Sequence, residues 1–157
     1  MTRGNDHRSK AHSLISLVLA LALAVTMLPT GLITARAEEA EGVRLYFKLP
    51  EGSTASGWCA NVWGDRVTTT GDSENAFRPS SWGTGDKFPA LIADEGSTFG
   101  YVTVTGAVEG MEFVNAEGTE CKCWNPQITN LGLPSAYYDP AAKQWYKDSA
   151  CTEEVTS

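Results

Sequence analysis

The sequence predicts an all-β sandwich of six or seven short strands. Three observations predict it. Short apolar segments alternate with a period of two, as half-buried strands do. Clusters of Gly, Pro, Asn and Asp punctuate those segments and supply turns. No heptad, no amphipathic helix of useful length and no internal repeat is present, so helix content is expected to be close to nil.

The elements follow in order. In "GVRLYFKL" (42–49), Val43, Leu45 and Phe47 alternate with Arg44, Tyr46 and Lys48, which puts an aromatic on the outer face of a first strand. After the loop "LPEGSTASG", "WCANVWG" (58–64) reads as a second strand. Residues 65–89 are polar and rich in Gly, Ser and Pro, and read as one long irregular loop. "STFGYVTVTG" (97–106) is the clearest strand, since Tyr101, Thr103 and Thr105 alternate with Val102 and Val104. "GAVEG" then reads as a turn before "MEFVN" (111–115). "QITNLGL" (127–133), "SAYYD" (135–139) and "AKQWYKD" (142–148) read as the remaining strands.

The N-terminus has the organisation of an export signal. Arg3, Arg8 and Lys10 precede the apolar run "LISLVLALALAVTMLPTGLIT", and "ARA" at 35–37 offers a small-x-small cleavage site. The division expected is a signal peptide over 1–37, a short linker over 38–42, a module over 43–148 and a C-terminal tail over 149–157. No second apolar run follows, so the cleaved chain is expected to be secreted and free of the membrane. The style of the signal suits a Gram-positive bacterium.

Composition narrows the function. Both histidines, His7 and His12, lie within the signal, which removes histidine-based triads and zinc sites from the mature chain. Residues 38–157 keep 8 of the 12 basic and 18 of the 19 acidic side chains, a net charge of −10. That balance argues against nucleic acid and anionic membranes, which need clustered Lys and Arg. "GTGDK" lacks the spacing of a phosphate loop, and the carboxylates are scattered over turns, so neither an enzyme nor a cofactor is expected. Four cysteines in an exported chain read as two disulfides rather than a metal site, at about 2–4 kcal/mol each. Cys59 and Cys151 would take Cys121 and Cys123 between them, or Cys59 would pair with Cys151 and leave a strained Cys121–Cys123 bond.

The aromatics remain. Sugar rings present C–H faces that stack on indole and phenol, and hydroxyl rims that bond to amides and carboxylates. Tyr46, Trp58, Trp63, Trp82 and Trp124 occupy outward-facing or loop positions, whereas Trp145 reads as core or sheet edge. Strand parity puts Trp58, Ala60 and Val62 on one face, and Cys59, Asn61 and Trp63 on the other. One of the two opening tryptophans then packs inward while the other faces out.

The ordered set "LYFK" (45–48), "WCANVWGD" (58–65), "DEGSTFGYVTV" (94–104), "MEFVNAEG" (111–118), "QITNL" (127–131) and "AYYDPAAKQWY" (136–146) resembles the starch-binding carbohydrate-binding modules of family 26, relatives of family 25. The resemblance covers about residues 43–147. It implies an immunoglobulin-like antiparallel β-sandwich of six to eight short strands that binds α-1,4-glucans such as starch or maltooligosaccharides. It implies glucan contacts at Tyr46, at Trp58 or Trp63, and at Gln127, and a separate amylase-type enzyme as partner. The chain departs from the family pattern in having only Tyr46 of a tyrosine pair, "KFPAL" in place of Trp-Pro-Gly, and the insert "TECKCWNP". The other function class in view is a secreted interaction protein on the same sandwich, without glucan binding, that binds a protein partner or a host surface or inhibits an enzyme.

Overall fold

The computed structural model describes residues 42–130 and 132–156. The segment expected as a signal peptide, and the expected linker up to residue 41, lie outside the described residues. The described chain is mostly β: β1 (Val43–Lys48), β2 (Trp58–Thr70), β3 (Asp72–Phe77), β4 (Phe88–Ala90), β5 (Ile92–Ala93), β6 (Phe99–Asn115), β7 (Glu120–Lys122), β8 (Ser135–Asp139) and β9 (Gln144–Tyr146). Short 3-10 turns stand at Ala55–Gly57 and Ser80–Trp82, and one helical turn, α1, at Gln127–Asn130.

The strands form one mixed sheet in the order β3-β4-β2-β6-β1-β8-β9, with β5 and β7 also paired to β6. Its pairs are antiparallel except β1 with β8, which run parallel, so an antiparallel arrangement throughout is corrected at that pair. Nine strands form where six to eight were expected, because the polar stretch 65–89 is not one loop. It extends β2 and adds β3 and β4, with Thr-rich residues 68–70 suited to a solvated strand.

The turn expected at "GAVEG" is also absent. β6 runs through it as one strand of 17 residues, bulged against β2 between Trp63 and Gly64 and between Asp65 and Thr68. Gly106, at φ 94°, supplies the left-handed conformation there, and a Cβ on it would overlap the Arg66 carbonyl. The irregularity shifts parity: Val102 and Val104 face the core before it, Met111 and Phe113 after it. The segment 127–133, expected as a strand, instead starts with α1, which buries Ile128. Asn125 Oδ1 accepts the Gln127 N–H at 2.9 Å, the local bond by which an Asn side chain opens a turn in place of a strand.

The core is an aromatic cluster drawn from the middle of the sheet order and its β8–β9 end. Phe47 on β1 lies 4.7 Å from Trp58 on β2 and 4.5 Å from Phe113 on β6, measured between ring centroids. Phe113 also meets Trp145 on β9 at 6.3 Å, and Trp145 meets Tyr138 at 5.1 Å. Strands at the middle and the end of the sheet therefore close over one apolar interior.

The C-terminal segment completes this interior. Val155 is buried in the core cluster, its N–H donates to the Trp145 carbonyl at 2.8 Å, and Tyr146 bridges to Glu154. Asp148 holds the return by accepting the N–H groups of Thr152 and Glu153.

At the β8–β9 turn, Lys48 Nζ donates to Asp139 Oδ2 at 2.6 Å, and Asp139 Oδ1 accepts the Ala141 N–H at 2.9 Å. The Lys48 bond, and then these N–H groups, hold the Asp139 carboxyl below its ordinary value of 3.8 against a desolvation that raises it. A depressed folded-state pKa contributes stability that is complete above the unfolded value and is lost as pH falls through the folded one.

Two outcomes follow. Phe113→Ala should destabilise the fold by about 3–5 kcal/mol, seen as a lower urea midpoint with the slope unchanged. Asp139→Asn should cost about 1 kcal/mol or less at pH 7, since Lys48 is partly exposed. The gap between it and the parent should close as urea titrations are carried below pH 3.8.

Candidate functional site

Strand phase separates the two tryptophans of β2. Trp58 is 8% exposed and packs on Phe47, so it presents no face to a ligand. Trp63 is 47% exposed, the one large hydrophobic side chain in that state among the described residues. It is registered against Gly110 of β6, where a Cβ would overlap the indole. The missing side chain lets the indole lie along the β6 backbone and turns its other face to solvent.

Hydrogen-bonding groups stand beside this platform. Asn61, two residues before Trp63 on the same face, is registered with Glu112 and donates from Nδ2 to Glu112 Oε1 at 3.0 Å. Glu112 is buried, and it is registered in turn with Lys122 of β7. A flat apolar ring, an amide, a carboxylate and an ammonium thus share two adjacent rows of the sheet.

Tyr46 belongs to a different surface. Register places Tyr101, Tyr46, Tyr137 and Tyr146 side by side across β6, β1, β8 and β9. Tyr46 stacks on Tyr137 at 4.5 Å and 17°, leans on Tyr101 at 5.2 Å, and meets the edge of Phe99 at 6.3 Å. With both ring faces covered it is only 7% exposed, and it offers an edge rather than a stacking plane. Arg44 caps the row, its guanidinium 5.3 Å from the Tyr101 ring centre. A groove of about 650 Å³ lies at that end, lined by Arg44, Tyr46, Thr103 and Ser135.

The sequence-predicted residues are therefore not gathered into one site. Tyr46 stands opposite Tyr101 and Trp63 opposite Gly110, nine residues further along β6, or roughly 30 Å of strand at about 3.3 Å per residue. Gln127 is half-buried at the head of α1. Trp82 is half-buried, donating from Nε1 to Glu120 Oε1 at 3.3 Å and meeting Phe88 edge-on. Trp124 is half-buried against the core and Trp145 is within it. Glu112 and Gly110 escaped the sequence reading, because only the β2–β6 register shows that they neighbour Trp63. Asn61 was legible through its shared phase with Trp63.

The expectation of two disulfides is corrected, since all four cysteines are free thiols. Cys59 is registered with Val114 and Cys121 with Phe113. Adjacent residues of a strand point to opposite faces, so Cys59 lies on one side of the sheet while Cys121 and Cys123 lie on the other. Cys151 sits instead near the Lys48–Asp139 pair, whose charges act on its thiol. Burial pushes the Cys59 thiol up to about 12, helped by the Glu112 charge, and also raises the Cys123 thiol. Among the described residues no group of three His, Cys, Asp or Glu is placed to hold a metal ion.

No family model, no curated protein and no solved structure matches the chain.

Alkylation without reductant should modify four thiols in the unfolded protein. In the native protein Cys121 and Cys151 should react well before Cys59 and Cys123. A mass lower by four hydrogens with no alkylation would mean that both bridges form.

Proposed function

We propose that the chain is an exported, non-catalytic module that binds α-1,4-glucan, starch or maltooligosaccharides, through the Trp63 face of the sheet. The observation that carries this is the solvent-facing Trp63 indole lying on Gly110 beside the Asn61–Glu112 pair. A pyranose stacks its C–H face on such a plane, while its hydroxyls bond to a neighbouring amide and carboxylate. No positive field is needed, which suits an acidic chain. The resemblance to family 26 modules supports the same ligand class, and a separate amylase-type enzyme is the partner it implies. The closure of β1, β8 and β9 over β2 and the second half of β6 supports an immunoglobulin-like sandwich. The basic, apolar and "ARA" segments support export.

In this reading the roles shift from those drawn on sequence. Trp63 stacks, Asn61 and Glu112 bond to hydroxyls, and Trp58 braces β2 from within. Tyr46 lies on the other surface and does not stack on the glucan.

A second reading rests on the tyrosine row. Its stacked phenols present a broad surface of ring edges and hydroxyls, as protein-docking faces do. It predicts a protein partner in place of starch.

The test is retention of residues 38–157 on granular starch, with cellulose as control. Trp63→Ala should weaken retention at least tenfold, about 1.4 kcal/mol or more. Gly110→Ala should weaken it too, by lifting the indole off the strand, whereas Tyr46→Phe should leave it unchanged. A folded parent that passes through starch unretained would remove the glucan reading and leave the tyrosine row as the surface to pursue.

A further inference from the structure

A second concavity, of about 320 Å³, lies between the segment after β7 and the β8–β9 hairpin. Trp124, Trp145 and Tyr138 form its apolar wall, Asn125 and Gln144 line it with amides, and its charged lining residues are Lys122 and Lys143. No carboxylate lines it, on a chain whose residues 38–157 carry a net charge of −10. Lys122 has a loose partner in Glu120 at 3.8 Å. Lys143 has no ion-pair partner among the described residues.

The backbone at Lys143 adds an independent observation. Asp139 is registered with Gln144, and its carboxylate accepts the Ala141 and Ala142 N–H groups inside the hairpin. The hairpin then closes through Lys143 in the left-handed region, at φ 53°. Gly or Asn fills such a position with little strain, whereas a longer side chain costs roughly 1–2 kcal/mol there. A lysine is held in a strained conformation in the lining of a cavity that has no negative charge there.

We propose that this concavity is a subsite for an anionic pyranose. The sugar ring would lie against Trp124 with its carboxylate or sulfate on Lys143 and Lys122. Asn125 and Gln144 would bond to ring hydroxyls. Lys122, registered with Glu112, borders the Trp63 face, but no other lining residue belongs to that face, and the site does not depend on glucan binding there. Its volume suits about one ring, and its charge selects against a neutral hexose.

The test uses the folded mature chain, titrated calorimetrically and by tryptophan fluorescence with D-glucuronate, D-glucose 6-sulfate and D-glucose. At least one anionic sugar should bind, and should weaken as salt rises, while D-glucose at the same concentration should not. Whichever anionic sugar binds identifies carboxylate or sulfate as the group held.

Lys143→Gly is the decisive variant, because it removes the ammonium at a φ that favours glycine. Its thermal midpoint should equal or exceed the parent's, while the anionic sugar binds at least tenfold more weakly. Lys122→Gln should weaken binding less, and Trp63→Ala should leave it unchanged. Equal binding of glucose and the anionic sugars, binding by neither anion, or full binding by stable Lys143→Gly would each overturn the proposal.

Discussion

β6 is the strand on which the other elements depend. It hydrogen-bonds along its length to β1, β2, β5 and β7, so it carries both the tyrosine row and the Trp63 face. A straight strand of 17 residues would keep one parity throughout and extend far beyond a core of this size. The irregularity around Gly106 changes the parity and bends the pairing with β2. Val102 and Val104 then serve the same interior as Met111 and Phe113. Without that break, either the first half or the second half of β6 would turn its apolar side to water.

The aromatic side chains divide according to what covers their faces. Phe47, Trp58, Phe113, Tyr138 and Trp145 cover one another and make the interior. Tyr46, Tyr101 and Tyr137 lie outside that interior, yet they stack side by side and leave mainly edges exposed. Trp63 stays 47% exposed, because Gly110 opposite it brings no side chain to cover the ring. Being aromatic and outward-facing does not by itself make a stacking platform; the neighbour in the next strand decides whether a plane stays open.

The C-terminal residues show how polar detail supports the core. Val155 reaches the interior because Asp148 accepts the backbone N–H groups that turn the chain back along β9. The Lys48–Asp139 pair ties the end of β1 to the end of β8, and Asp139 also sets the turn that carries Lys143. One carboxylate thus joins the sheet edge to the rim of the smaller concavity.

The β character, the positions of β1, β8 and the first half of β6, and the opposite facing of Trp58 and Trp63 were legible in the sequence. Each depends on period-two alternation, which is a local property of the chain. The strands within residues 65–89 and the helical turn at Gln127 were not legible. Polar edge strands carry little apolar pattern, and a single turn is too short to show a helical period. Nor could sequence distances show that Cys59 is separated from Cys121 and Cys123 by the sheet, that Tyr46 is enclosed by Tyr101 and Tyr137, or that Gly110 lies under Trp63. These depend on cross-strand register, which joins residues far apart in the chain and is settled by how the aromatic interior packs. The sequence alone determined the strands that alternate with a period of two and which way their side chains face; only the tertiary structure decided the polar strands and which faces meet, because that choice belongs to the neighbouring strand.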